Sequence, residues 1–548
     1  MIELESYRNI HAAKQLQITL NLQLSQTFNV NNYSKWLEAY SDSILSPSKP
    51  QVINEHKLNN NEIAFIGFFT HTLQRFLLLG QIPTFELPEV VSAVHKGDES
   101  EFIELILALD FVRFVPLDAY KICIDNALKL TRWMAQNSVT QTNKTYLFNL
   151  VKKDVIQPLT SLVMSSKTTI PVLSVAHTLQ IPFSHLGLGV YQLGWGSRAK
   201  RLERSLCDKD SAIGVKLSQN KSYTANLIAM AGLPAPEHIA VSTYKEAKNA
   251  TQRLGYPVVV KPIDLDRGEG ITVDIVSDNG LKQAFTTALA LTRLKQVLVE
   301  KQVAGVCHRL FISHGKLLYA VKRLPISVQG DGEHTVSELI AAQLTLQNQQ
   351  PPWARNEIQA IDELAIAAMK RVGIFPESIP QSGVWVPLRR IESTQSGGID
   401  EDVTLLVHPE NIRIAIEAAR IMGLEIAGVD IISEDITQPW FDNGAVINEV
   451  NSAPSLGEGQ ISRSYLPQFF AEIIEGDGRI PIEEADTQEQ AKILQNKYQQ
   501  QGLRCFITSP TDTFDCSGDI IPMLFNTMRK RIRALINRPD VDAIIVFY

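Results

Sequence analysis

The chain has 548 residues, 45% of them hydrophobic and 20% charged, with a net charge of −7, an ordinary globular balance with room for roughly three or four domains. The acidic surplus and the absence of a long basic run exclude a general nucleic-acid binder. The five cysteines show no Cys-x-x-Cys spacing, the amino terminus has no basic-then-apolar signal, and no uncharged apolar run reaches the ~18 residues that cross a bilayer, so a cytoplasmic protein with reduced thiols is expected.

Residues 1–165 form the least informative region. The apolar stretch 63–82 contains His71, Gln74 and Arg75 and is expected to be a buried helix. Segments 99–114 and 120–133 place apolar residues at helical spacing, so a mostly helical domain without catalytic motifs is expected. At residue 168 the pattern changes to a helix, a short strand and the glycine-punctuated run GLGVYQLGWGSRAKR, an α/β lead-in covering 166–215.

The next region, 216–475, carries the chemistry. Lys221 opens a helix that Gly232 and Pro234 stop. The strand YPVVVKP follows, with Lys261 near its end, where a buried ammonium needs an anion. The loop DLDRGEGITV combines Arg267 with Gly268, Glu269 and Gly270, a candidate phosphate-covering turn because glycine lets backbone amides point at an anion. It is equally readable as an ordinary hairpin turn, and no Walker loop or dinucleotide glycine fingerprint is present.

Residues 296–324 read as a meander of apolar strands turning at Gly315, and the Glu300, Lys301, Gln302, Val303 step offers backbone and aliphatic walls suited to a flat ring. Arg309, Lys322 and Arg323 lie on its later strands. The loop at 393–400 is glycine-rich and polar, a type of segment that often meets a substrate. A helix beginning at His408 and Pro409 is expected to pack behind a β-hairpin made of 424–432 and 445–450. In that hairpin Glu449 and Asn451 leave the same face, and Asp430 can be brought opposite them. Three hard oxygen donors suit Mg²⁺, although a solvated strand end reads equally well from these residues alone. After residue 476 a small α/β segment closes the chain.

In order and spacing, Lys221, Lys261, the 267–270 loop, Glu300, Asp430 and the Glu449-x-Asn451 pair resemble the ATP-grasp superfamily. VVVKP, ISVQGDGEHTVSELI, VHPENIRIAIEAARIMGLEIAGVDI and INEVNSAPSL are similar to the ATP-grasp half of the cyanophycin synthetase family, over about 181–456. The resemblance implies an α/β (α+β) ATP-grasp fold and an ATP-dependent carboxylate-amine ligase that passes through an acyl phosphate and releases ADP and phosphate. It implies Lys221 and Lys261 on the phosphates, Arg267, Gly268, Glu269 and Gly270 closing over them, and Glu300, Lys301 and Val303 at the adenine. Arg309 and Arg323 would steady the transferring phosphoryl group. Asp430, Glu449 and Asn451 would hold Mg²⁺, two ions in the usual family arrangement, with Mn²⁺ as a substitute.

The match is incomplete at informative places. Cys307 stands where many such ligases hold ribose with an acid, and Ser455 replaces a frequent glycine. GRIPI at 478–482 resembles the start of a Mur-ligase-like domain, yet no P-loop follows, so 476–548 is read as a truncated Mur-like remnant without a second nucleotide site. The expected substrates are an amino acid or small peptide, with no nucleic-acid or membrane partner and a homo-oligomer as the assembly. Modification of a protein or polymer terminus, and a non-catalytic nucleotide-binding scaffold, stay open as alternatives.

Overall fold

The computed structural model describes residues 16–23, 31–32, 35–36, 58–95, 102–265, 269–351, 353, 355, 361–389 and 398–548. The chain divides into two compact units, one built from 1–204 together with 470–548 and the other from 205–469.

In the first unit, the strands Leu16–Gln23, Phe102–Leu109 and Glu89–His95 form an antiparallel sheet with the middle strand at its centre. The helical expectation for 99–114 is therefore corrected, with 99–101 outside the described residues. Ile103, Leu105 and Leu107 are fully buried at every second position, and strand pairing on both edges decides between two periods that a short apolar run cannot separate. The expected buried helix is present as Asn60–Leu79, opened by an Asn59/Glu62 capping box and burying Phe65, Ile66, Phe69, Leu73 and Leu77. No helix among the described residues is long and apolar enough to cross a membrane.

The same unit contains the glycine-punctuated strands Phe183–Gly187, Val190–Leu193 and Lys200–Glu203, paired antiparallel. It also contains a sheet in which Ile482–Ala485, Ala543–Phe547 and Cys505–Thr508 run parallel. Trp195 joins Phe506, Ile532, Leu535, Ile544 and Val546 in one core. A Cβ on Gly196 would lie 2.3 Å from the Val541 carbonyl oxygen, so only glycine lets these two segments approach so closely.

The 205–469 unit is organised by two antiparallel sheets. The first has the order Thr272–Ile275, Val258–Pro262, Val297–Lys301, His238–Val241. Val258, Val260, Val297 and Val299 pack with Ala247, Ala250, Leu281 and Phe285 of the helices Tyr244–Leu254 and Asp278–Leu291. The alternation turns Lys261 and Glu300 to the opposite face.

The second sheet has the order Ile399–Asp402, Lys316–Leu324, Val306–Ser313, Ile426–Ser433, Val446–Ser452. Leu310, Ile312, Ala320, Val429, Ile431 and Ile447 form a core with Ile414, Ala415 and Ala418 of the helix Pro409–Met422. Proline at the first position starts that helix and Gly423, at φ 67°, ends it, which is the expected packing behind the hairpin. The expectation of a single meander over 296–324 is corrected, because Val297–Lys301 belongs to the first sheet and the two later strands to the second. Gly305 makes the crossing at φ 116°, where a Cβ would lie 2.2 Å from the Ser433 carbonyl carbon. Residues 326–388 add a small two-stranded, two-helix insertion with its own core of Ile326, Val328, Val336, Ile340, Met369 and Val386.

A charged face shared by two sheets

On the face of the second sheet turned away from its helix, charged side chains stand in adjacent rows. Register pairs Arg309 with Asp430, Asp430 with Glu449, and Arg323 with Asp400, and directly paired residues point to one side. Arg309 grips Asp430 with two near-parallel bonds, Nε to Oδ1 at 2.7 Å and Nη2 to Oδ2 at 2.6 Å, the strong bidentate form of an ion pair. Arg323 Nη1 lies 4.0 Å from the same carboxylate, and the Asn451 amide donates to it at 3.2 Å.

Burial pushes the Asp430 carboxyl up, but the Arg309 guanidinium, helped by Arg323 and Asn451, outweighs burial and holds it below the usual carboxylate range. Burial likewise opposes the charge on Arg309, and Asp430 more than restores it. Glu449 meets the ammonium of Lys221 at 3.0 Å. Lys221 is the first residue of the helix Lys221–Met230, whose Asn220 cap accepts from the Tyr223 amide.

The face of the first sheet supplies a second pair. Lys261, 5% exposed, lies 2.8 Å from the Glu300 carboxylate, itself 7% exposed, so the buried ammonium that the sequence flags already has an acid against it. Lys261 also reaches Asn448 Oδ1 at 3.5 Å, a bond that links the two sheets. Asn448 does so because the hairpin is bulged. Asp430 pairs with Glu449 while Ile431 pairs with Ile447, leaving Asn448 as the extra residue of the bulge.

Of the expected site residues, Lys221, Lys261, Glu300, Arg309, Arg323, Asp430, Glu449 and Asn451 are joined by these contacts. Lys301 lies at the end of its strand and donates from Nζ to the Gly255 and Tyr256 carbonyls, and Val303 lies in the link that follows. Glu269 is exposed, and Gly270 has φ 72°, with Pro262 and Leu291 too close for a Cβ. Arg267 and Gly268, and 393–397 of the glycine-rich loop, lie outside the described residues. Sequence reasoning missed Asn448, and it reached Asp400 only as the last residue of the 393–400 loop, whereas Asp400 lies on the strand Ile399–Asp402. The polar asparagine between Ile447 and Glu449 was a readable sign of the bulge, and the acidic run after the glycine-rich loop was a readable sign of Asp400.

The donor chemistry fits a hard divalent cation. Asp430, Glu449 and Asn451 offer only oxygen ligands, and each carboxylate oxygen has two acceptor positions. Asp430 Oδ1 uses one of these on Arg309, and Glu449 uses one oxygen on Lys221.

Residues 220–309 match the family model for the carbamoyl-phosphate synthase L chain ATP binding domain, and residues 392–471 match the RimK-like ATP-grasp domain. The chain is 34% identical over 309 residues to a cyanophycin synthetase of Geminocystis herdmanii, covering 56% of this chain and 35% of that protein. It is 29% identical over 286 residues to the glutathione biosynthesis bifunctional protein GshAB of Streptococcus agalactiae, covering 49% and 38%. The solved structure of a bifunctional glutathione synthetase from Pasteurella multocida overlaps 64% of this chain and 52% of its own at a TM-score of 0.43 and 21% identity. The chain spans about a third of the length of the cyanophycin synthetases that it matches. Its 205–469 unit contains the first matched segment and all but the last two residues of the second, and the chain therefore carries an ATP-grasp domain similar to that of the cyanophycin synthetases.

Proposed function

We propose that the chain is an ATP-dependent ligase joining a carboxylate of an amino acid or small peptide to an amine, with release of ADP and phosphate. The observation that carries the reading is the charge arrangement. Lys221, Lys261, Arg309 and Arg323, four cations from four different elements, stand on two linked polar faces, each beside an acid. Positive charge positioned where phosphoryl oxygens gain negative charge supplies most of the catalysis in phosphoryl transfer.

In this reading Lys221 and Lys261 bind phosphates, and Glu300 orients Lys261 while Lys301 and Val303 border the base. Glu269 and Gly270, together with Arg267 and Gly268, close over the triphosphate. Arg309 and Arg323 steady the phosphoryl group. Arg323 suits that work, since its Nε is buried with no acceptor among the described residues. Asp430, Glu449 and Asn451 hold Mg²⁺, or Mn²⁺ in its place, and the bound ion supplies charge neutralisation for the phosphate oxygens. Two such ions, the number that the resemblance implies, would balance the four charges of a fully ionised triphosphate. None of the five cysteines forms a disulfide, which suits action in the cytoplasm.

The test is Glu449→Gln compared with the unaltered chain. Glu449 is partly exposed and its pair with Lys221 is short but peripheral to the core, so the fold is expected to survive. Mg²⁺-dependent ADP release should fall at least ~100-fold while nucleotide still binds. Unchanged ADP release would overturn the assignment, and an unaltered chain that binds nucleotide but never turns it over would favour the scaffold reading.

A further inference from the structure

Resting on the ligase reading, we propose that Asp400 is the carboxylate that receives the incoming amine, binding its ammonium form and taking the proton that must leave before nitrogen can attack. Asp400 lies on the edge strand Ile399–Asp402, in register with Arg323 and on the same charged face as Arg309 and Asp430. One strand spacing is about 5 Å. A carboxylate one strand beyond Arg323 and two beyond Arg309 is thus within a substrate's length of the group that they hold.

The acids of the two polar faces divide by what already occupies them. Asp430 is gripped by Arg309, Glu449 by Lys221 and Glu300 by Lys261. Asp402, two residues on along the edge strand, accepts from the Tyr465 hydroxyl at 3.0 Å and from Thr404. Asp400 alone among them, counting the described residues, has neither an ion pair nor a hydrogen bond at its carboxylate. Its edge is open to solvent, as an entering co-substrate requires. Burial pushes its carboxyl above the ordinary range and Asp430 adds to the push, against the pull of Arg323 and Arg309, and a raised carboxyl is the better proton acceptor.

The step balances. The ammonium gives one proton to Asp400, and the freed nitrogen lone pair attacks the acyl carbon. The bond from that carbon to the phosphate oxygen breaks, and the departing phosphate carries the electron pair away and takes up the second nitrogen proton. Asp400 then returns its proton to water. Arg309 and Arg323 are occupied by phosphoryl oxygens at that moment, which leaves Asp400 the acid of the face with no cation of its own to satisfy.

Hydroxylamine separates this role from a structural one, because it is uncharged near neutral pH and attacks an acyl phosphate without first losing a proton. The unaltered chain, Asp400→Asn and Asp400→Glu are each given Mg-ATP and the standard amino acids as the carboxylate pool. The nucleophile is either hydroxylamine, read as hydroxamate, or the same amino acids, read as coupled product. Asp400→Asn should keep hydroxamate formation within a few-fold and lose amide formation at least ~100-fold, and Asp400→Glu should recover part of the loss. Equal losses in both reactions, or undiminished amide formation by Asp400→Asn, would overturn the proposal alone. Absence of hydroxamate from the unaltered chain would overturn the ligase reading, and the proposal with it.

Discussion

Removing the Arg309 guanidinium as Arg309→Met tests the electrostatic design of the face. The change deletes both bonds to Asp430 and leaves a carboxylate of 3% exposure with Arg323 at 4.0 Å and Asn451 as its remaining partners. Breaking a buried pair from one side costs about 3–5 kcal/mol, since the abandoned charge stays desolvated. With Arg323 compensating in part, the lower end is expected, about 3 kcal/mol or a fall of roughly 6–12 °C in Tm. Asp430 is held below its ordinary range in the intact chain, so its contribution to stability is complete above the unfolded carboxylate value near ~4 and is lost as pH falls through the depressed folded value. In Arg309→Met burial dominates and the carboxyl moves up. The penalty should then be largest near neutral pH and shrink on acidification as Asp430 takes a proton, by about 1.4 kcal/mol per pH unit across the titration. Denaturant unfolding at several pH values measures this, and Arg309→Met/Asp430→Asn should recover at least ~1 kcal/mol of it. A loss below about 1 kcal/mol at neutral pH, typical of an exposed pair, or a penalty that grows in acid, would refute the reasoning.

Lys261→Met should cost about 3 kcal/mol by stranding the buried Glu300 carboxylate and should abolish nucleotide-dependent turnover; Lys261→Met/Glu300→Gln should regain stability but not turnover, as unfolding and ADP-release assays would register. Gly305→Ala places a Cβ against the Ser433 backbone at a φ that disfavours side chains, so a loss of at least ~2 kcal/mol is expected, and a neutral change in urea midpoint would contradict the crossing geometry. His308 is 3% exposed, and burial, with Lys322 beside it, lowers its pKa to about 4. Stability should therefore be full above ~6.5 and decline by up to roughly 3 kcal/mol as pH falls toward 4, with a flatter profile in His308→Gln.

What could be read in the sequence follows the reach of the interactions involved. Hairpin alternation places Asp430, Glu449 and Asn451 on one face because strand geometry is local, and the His408, Pro409 and Gly423 signals mark a helix for the same reason. The partners of those acids come from far along the chain, as Arg309 lies 121 residues before Asp430, and only tertiary register brings them opposite. The Asn448 bulge shifts one strand by a residue, which a strict two-residue period does not anticipate. Residues 102–109 satisfy both a helical and an extended reading until the strands on either side pair with them. The split of 296–324 between two sheets turns on Gly305, whose close approach to Ser433 is a property of the folded backbone rather than of residue preference.

The most direct test of the central claim is product formation by the purified chain with Mg-ATP, pooled amino acids and dipeptides, followed by mass spectrometry together with ADP and phosphate. The account predicts a product whose mass is the sum of a carboxylate and an amine minus water, formed with ADP and phosphate in equal amounts and only when both co-substrates are present. Nucleotide turnover that ignores the co-substrates, AMP in place of ADP, or failure to bind nucleotide would contradict it.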